Sequence, residues 1–321
     1  MTRRRDALAW LAVAGMAVSA VSPWVERLVW RWATAVRALM PWSALSAGPV
    51  ALGALVTRRW RLAAASGAVA MAGAGMAVPL VRRRPQPRAD PAAYPLKVIH
   101  SNLLYINRRV PDVPATLARY DADVVTFCEL TPSHAAHLRR SSLAATYPYR
   151  IELPARYASG TALWSRYPLT ERVSTNTKHH TVVADIAVPG GPVRVIVLHT
   201  QSPFTHHGQW EHDLQRLATL TVDRPALMTG DFNASWWHPE FRRLLAHGWR
   251  DAHIESGHGL KCSWPTDRWH PVFHVHPPFV RLDHALVNDG LAVLGVDDFD
   301  VPGSDHLGLL VTVQRAAPRA P

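Results

Sequence analysis

The hydrophobic pattern changes character about a quarter of the way along the chain. Up to residue 81 the apolar residues come in long uncharged stretches, at 7–25, 38–57 and 62–81. Each is close to the roughly 20 residues that cross a bilayer as a helix, so about three transmembrane helices are predicted. The second stretch carries Pro41 and Pro49, whose neighbours' freed backbone groups need other partners inside a membrane. The third holds Gly67, Gly73 and Gly75, which suit close helix packing. Trp24, Trp42 and Trp60 fall near the predicted ends, where amphipathic rings favour the interface. A signal peptide also starts basic and then apolar, but here two further apolar segments follow. Residues 82–95, RRRPQPRADPAAYP, combine proline and charge with few large apolar side chains and read as an extended linker.

Beyond residue 95 the apolar runs shorten to strand length and alternate with turn residues. Strands are predicted at 96–102, 123–129, 160–165, 181–188, 193–200, 225–233, 280–287 and 307–314. Helices are predicted at 114–120, 132–140, 208–221 and 238–247, with Pro132 well placed for a helix start. Many strands with a few helices over 96–314 imply an α/β or α+β domain built on a central sheet layer, with 315–321 as a flexible tail. Several strands end in polar residues: Asn102, Glu129, His199-Thr200 and Asp231/Asn233. If those strands are neighbours in a sheet, their ends converge on one rim, where layered folds build sites.

Charge sharpens this division. The formal net charge of +11 suggests nucleic acid or an anionic membrane. Yet residues 1–90 hold 13 Lys/Arg against 3 Asp/Glu, a net of +10, while residues 91–321 hold 22 against 21, a net of +1. The larger part lacks the bias of a protein that neutralises many phosphates, so nucleic acid is disfavoured as a partner. Cys128 and Cys262 are the two cysteines, too few for a disulfide framework. Cys128 reads as a small core residue and a bridge to Cys262 as the lesser alternative.

The candidate chemistry sits at the strand ends. In GDFN (230–233), Asp231 and Asn233 are two apart, so an extended chain points both to one side while Phe232 packs on the other. An acid beside an amide donor suits a phosphate, one handling a proton or water and the other holding an oxygen. SDH (304–306) precedes the last strand, and Asp283 of RLDH can orient and charge an imidazole such as His306. Glu129 closes an otherwise apolar strand, where a carboxylate calls for a hard metal or a donor.

In this order, SNLL, CEL, SGTALWSRYPL, LHTQSP, GDFN, the Trp264-Pro265 segment, RLDH and SDH resemble the endonuclease/exonuclease/phosphatase superfamily, the DNase-I-like fold, over about residues 96–314. The resemblance implies a four-layered α/β sandwich and hydrolysis of phosphoesters dependent on Mg²⁺ or Mn²⁺. It implies Glu129 as chief metal ligand, with Asn102 and Asp305 close to the ion. His199 and Asn233 would contact phosphate oxygens, Asp231 would activate water, and His306 with Asp283 would stabilise the transition state. Whether Asp231 or His306 is the effective base stays open. The chain departs from the family in having Cys128-Glu129-Leu130 where Gln-Glu-Thr is common, and it shows no match for the tyrosine of the abasic-site endonucleases.

Other polar residues read as structural. His179-His180 and His206-His207 are expected on loops or the surface, and Arg166 in an ion pair or turn. Trp236-Trp237 either packs beneath the site or grips a lipid tail, and the His-rich loop HPVFHVHPPF (270–279) is equally open. Three spans ahead of this domain resemble the VanJ-type teicoplanin-resistance membrane proteins, which implies an extracytoplasmic hydrolase of prenyl (pyro)phosphates. The positive-inside rule is nearly balanced: RRR at 3–5 and RRWR at 58–61 fall inside, while Arg27, Arg31, Arg37 and RRRPQPR fall outside. An external domain is expected. The leading expectation is therefore a membrane-bound hydrolase of lipid-linked phosphate. A tethered nuclease, a phospholipid phosphodiesterase and a non-catalytic lipid-binding protein are the alternatives.

Overall fold

The computed structural model describes residues 2–25, 31–172, 179–266 and 277–318. Residues 270–276 of the His-rich loop, and Arg27, lie outside the described residues. The chain opens with four helices: α1 (Thr2–Val21), α2 (Arg31–Ala38), α3 (Met40–Val56) and α4 (Trp60–Val81). The stretch Asp6–Trp24 and α4 are each long and apolar enough to cross a membrane. The expected second span departs from a simple rod. α2, a short amphipathic helix, precedes α3 at a bend of 60°, and the pair passes the same test only if taken together. Pro41 causes no break in α3, because it stands in the first turn, where no intrahelical N–H is lost. α3 and α4 approach closely: a Cβ on Gly73 would sit 2.3 Å from that of Ala44.

Twelve strands follow among the described residues: β1 (Leu96–Asn102), β2 (Val124–Cys128), β3 (Tyr149–Leu153), β4 (Thr161–Ser165), β5 (Leu169–Arg172), β6 (Val182–Ile186), β7 (Val193–His199), β8 (Ala226–Asp231), β9 (Arg250–Asp251), β10 (Asp283–Val287), β11 (Leu291–Asp300) and β12 (Leu307–Arg315). Six helices lie between them: α5 (Val113–Ala118), α6 (Pro132–Arg139), α7 (Leu143–Thr146), α8 (Pro203–Ala218), α9 (Pro239–Ala246) and α10 (Ala252–Glu255). The expected strands all form. β3, β5, β9 and β11 are additional, and α8 starts five residues earlier than expected, with a kink at His206.

The strands make two six-stranded sheets, in the orders β11-β12-β1-β2-β4-β3 and β5-β6-β7-β8-β10-β9. Each contains one parallel pair, β1–β2 and β7–β8. A parallel pair needs a crossover, supplied here by α5 and α8. The sheets face each other over a core of Val98, Leu163, Val195, Leu227, Val287 and Val311, with others of the same kind. Their outer faces carry helices: α5, α6 and α7 over Ile99, Val125 and Phe127, and α8 and α9 over Ile196, Leu198 and Met228. The layers therefore run helix, sheet, sheet, helix. Burying each such side chain contributes about 1.5–3 kcal/mol.

The first four helices are fastened to this body. Met40 and Leu80 pack with Trp237 and Ile254 in one buried cluster. Arg37, fully buried, donates to the carbonyls of Ser22 and Val25 and faces Glu240 at 3.6 Å. His238 Nδ1 accepts from the Ser235 amide at 2.8 Å, which leaves Nε2 to donate to the Thr34 carbonyl at 3.1 Å. Burial holds that imidazole neutral, its pKa lowered to about 4. The proline-rich segment after α4 is extended but pinned. Gln86 exchanges two hydrogen bonds with Val293, and the amides of Asp90 and Ala317 donate to Arg315 and Arg88.

Candidate active site

The topology explains why the polar strand ends meet, and it corrects one assumption. They do not line the rim of one sheet: Asn102 and Glu129 belong to the first sheet, His199 and Asp231 to the second. Both parallel pairs end at the same mouth of the sandwich. The antiparallel neighbours β10 and β12 run the other way, so their beginnings, Asp283 and Asp305-His306, arrive there too. In register, His199 lies beside Asp231 and Asp231 beside Asp283. Asn102 Nδ2 joins the sheets, 3.1 Å from Glu129 Oε1 and 3.2 Å from Asp231 Oδ2.

GDFN is a strand end turned by its own side chains. Gly230 (φ +154°) is required, because a Cβ there would sit 1.9 Å from the Leu198 carbonyl oxygen. Asp231 Oδ1 accepts from the Asn233 amide at 2.8 Å, with Asn233 in the left-handed region at φ +47°. Phe232 is buried in the outer core with Trp210 and Phe241. Asp231 and Asn233 both line the site, but through this turn rather than through the extended alternation that the spacing assumes.

His306 and Asp283 form the expected pair. His306 Nδ1 lies 2.8 Å from Asp283 Oδ2, which also accepts from Ser263 Oγ at 2.7 Å. Burial opposes charge on the imidazole, but Asp283, Asp231 and Asp305 outweigh it and hold the His306 pKa well above its ordinary value. Burial likewise raises Asp283, and His306 overcomes that, leaving it lowered. His306 Nε2 is 3.8 Å from Asp231 Oδ2. Asp231 moves upward, chiefly because burial disfavours its charge. His199 moves downward for the same reason; its Nδ1 lies 3.0 Å from the Ala158 carbonyl, and Nε2 lies 3.3 Å from Asn233 Nδ2.

Glu129, at φ +56°, accepts from the Tyr105 amide at 2.9 Å, and burial raises its pKa. A buried carboxylate of this kind fits a hard cation. Asp305 Oδ1 has no hydrogen-bond partner among the described residues, while Oδ2 accepts from Trp264 Nε1 at 3.0 Å. Asn102 fits less directly. It turns its amide nitrogen toward the carboxylates while Oδ1 accepts from the Leu104 amide, so ligation by oxygen requires it to rotate. Asp231, Asp283 and His306 also offer ligand atoms within 4.8 Å of one another. His306 Nδ1 is committed to Asp283, so this triad is first a hydrogen-bonded unit.

Glu129, His199, Asp231, Asn233 and His306 line one cavity of about 1080 Å³. Asn102 and Asp283 lie buried beneath it. Its roof is unexpected from sequence: Ala35, Ala38, Leu39 and Trp42 of the α2–α3 bend, with Phe204 and Phe279 beside them. Tyr105 and Tyr157 pair edge to face at the rim. His179, expected as a loop residue, is buried edge-on against His199 at 4.5 Å. Arg166 keeps its structural role, paired with Asp121 and Asp123.

Residues 99–306 match the Endonuclease/Exonuclease/phosphatase family. The chain belongs to this family. Solved structures share the family fold at low identity. D. rerio TDP2, humanized by 14 mutations, is 18% identical with a TM-score of 0.55, covering 68% of this chain and 99% of that one. An endonuclease/exonuclease/phosphatase from Beutenbergia cavernae is 19% identical with a TM-score of 0.55, covering 70% and 73%. No curated protein matches in sequence. The Cys-Glu-Leu departure has a packing explanation: Cys128 is fully buried with Sγ 3.0 Å from the Leu198 carbonyl, and Leu130 is in the outer core. Both cysteines are free.

Proposed function

We propose that the protein is a membrane-anchored, metal-dependent phosphoester hydrolase whose substrate is lipid-linked phosphate, a prenyl phosphate or pyrophosphate, at the outer face of the membrane. The observation that carries the lipid assignment is the cavity itself. Its floor is the polar cluster of Glu129, Asp231, Asn233 and His306, and its roof is the apolar bend of α2 and α3. A phosphate on a hydrocarbon chain matches both surfaces at once. The resemblance to VanJ-type proteins supports the same reading, as does the near-neutral charge of residues 91–321, which offers little to a nucleic-acid backbone.

In this reading Asn233 Nδ2 and the His199 ring hold phosphate oxygens. Asp231, whose carboxyl burial pushes upward, takes the proton of the attacking water. His306, kept cationic by Asp283, Asp231 and Asp305, stabilises charge that develops on the phosphoryl group. Ser263 fixes Asp283, and Asp283 fixes the imidazole. Mg²⁺ or Mn²⁺ held by Glu129, with Asn102 and Asp305 beside it, would neutralise phosphate charge and template an in-line displacement.

The direct test is phosphate release from a prenyl pyrophosphate by the full-length protein and its Asp231→Ala variant. Equal release from both sinks the assignment. Metal-dependent cleavage of DNA faster than release from lipid would instead favour a tethered nuclease. A reporter fused at the C-terminus and active only in the cytoplasm would remove the outer-face placement.

A further inference from the structure

Beside the catalytic cavity lies a second, smaller one of about 120 Å³, between α3, α4 and the domain. Pro41 and Leu45 of α3, Ala74 and Ala77 of α4, and Trp236 and Leu260 of the domain bound it. The two cavities share Ala38, Trp42, Phe279 and Val280, so they are separated by one thickness of side chain. Trp42 is the partition. Its indole lines both spaces, and Nε1 donates to the Phe279 carbonyl at 2.6 Å, which fixes the ring. At the edge of this cavity α3 and α4 touch directly, at Gly73 and Ala44. Within it the small side chains of Ala74 and Ala77 leave space, on helices apolar enough to lie in hydrocarbon.

We propose that this second cavity, large enough for about one isoprene unit, captures part of the hydrocarbon chain of the lipid whose phosphate lies over Glu129 and Asn233, with Trp42 between the chain and phosphate subsites. This rests on the lipid-phosphate reading above and adds where the chain is held. Three observations support one occupant. The cavity is mostly apolar, it adjoins the catalytic space through Trp42 and Phe279, and its walls include the candidate membrane helix α4 and α3 of the bent pair. A chain entering from the bilayer is already out of water, so the cavity gains no hydrophobic transfer energy and selects by packing and shape. Trp236 and Trp237 both line this cavity, and both pack in the joint between helices and domain.

The test uses full-length protein in detergent micelles without added metal, and a farnesyl phosphate carrying a diazirine on its first isoprene unit. After irradiation, labelled peptides are mapped with and without excess unlabelled farnesyl phosphate. The expected label falls on 41–45, 74–77 or 260–262, is competed away, and drops at least fivefold in Ala77→Phe. Leu52→Phe, on the exposed side of α3, keeps it. Label confined to 202–205, or label on α3 and α4 that competitor does not remove, overturns the tail site, and the wild-type map alone decides this if Ala77→Phe misfolds. Competed labelling without phosphate release in the presence of metal overturns the hydrolase reading instead.

Discussion

The floor and the roof of the catalytic cavity are built by opposite means. On the floor, polar groups are fixed by strand register and by one another: Asp231 sits between His199 and Asp283 across neighbouring strands, and among the described residues the carboxylate oxygens have named donors except Asp283 Oδ1 and Asp305 Oδ1. The roof is apolar side chains on a helical bend, held from behind by the buried Arg37–Glu240 contact and the His238–Thr34 hydrogen bond. A fixed polar floor can select a phosphate and act on it. An apolar roof contributes no chemistry, and in the proposed function it chooses what the phosphate is attached to. The two should therefore fail differently when altered.

The largest effect is expected on the floor. Asp231→Ala or His306→Ala should lower kcat by about 10³-fold or more, the scale of a lost acid–base or charge-stabilising group. Asp231→Ala should nearly keep thermal stability, while His306→Ala also costs some because Asp283 is left buried without its partner. Asp283→Asn should act through His306 and lose about 10²-fold. Steady-state kinetics with thermal unfolding in parallel checks all three. A variant that unfolds, rather than one that folds and fails, would place the residue in the architecture and blur the comparison.

Behind the roof the loss should be structural. Removing one partner of a buried ion pair costs about 3–5 kcal/mol, so Arg37→Met should lower the unfolding midpoint in detergent. Arg37→Met with Glu240→Met should recover much of it, since no charge is then left buried alone. Activity on a lipid phosphate should fall through KM more than through kcat. If kcat falls by 10³-fold with KM unchanged, the roof reaches the chemistry and the division into two surfaces is wrong.

This contrast also explains what could be read from the sequence. The floor was legible because chemistry demands particular residue types where strands stop or start, and GDFN, RLDH and SDH carry them there. That the strands belong to two sheets was not legible, since a strand end looks the same in either. β11 was missed because its acids Asp297, Asp298 and Asp300 break an apolar pattern on an edge strand, where such acids are tolerated. The roof could not be read at all: Ala38 and Leu39 belong to an ordinary membrane-like stretch, and only the 60° bend brings them over the site. His179 does lie on a loop, as expected, but its burial against His199 could not be read, since that contact is purely tertiary.

The seam between floor and roof gives a smaller but cleaner test. His284 lies in β10, one residue beyond Asp283, and its Nε2 is 2.9 Å from the carbonyl of Ala234, which follows GDFN. Its Nδ1 is 2.6 Å from Asp251 Oδ2, and Asp251 Oδ1 caps α10 through the Ile254 amide at 3.0 Å. Ile254 in turn packs against Met40 and Leu80 of the first helices. Burial alone would raise the Asp251 pKa, but the His284 imidazole outweighs it and lowers the carboxyl from 3.8 to about 2. A carboxyl lowered on folding stabilises the protein above its unfolded value and loses that contribution as pH falls toward the folded value. Asp251→Asn should therefore be less stable than wild type by an additional increment of order 2 kcal/mol at pH 7, and that increment should shrink between about pH 4 and pH 2. Denaturant unfolding at pH 7 and pH 3 measures it. A gap that stays constant over that range would mean that Asp251 works only as a helix cap, and the seam would then be held by shape rather than by charge.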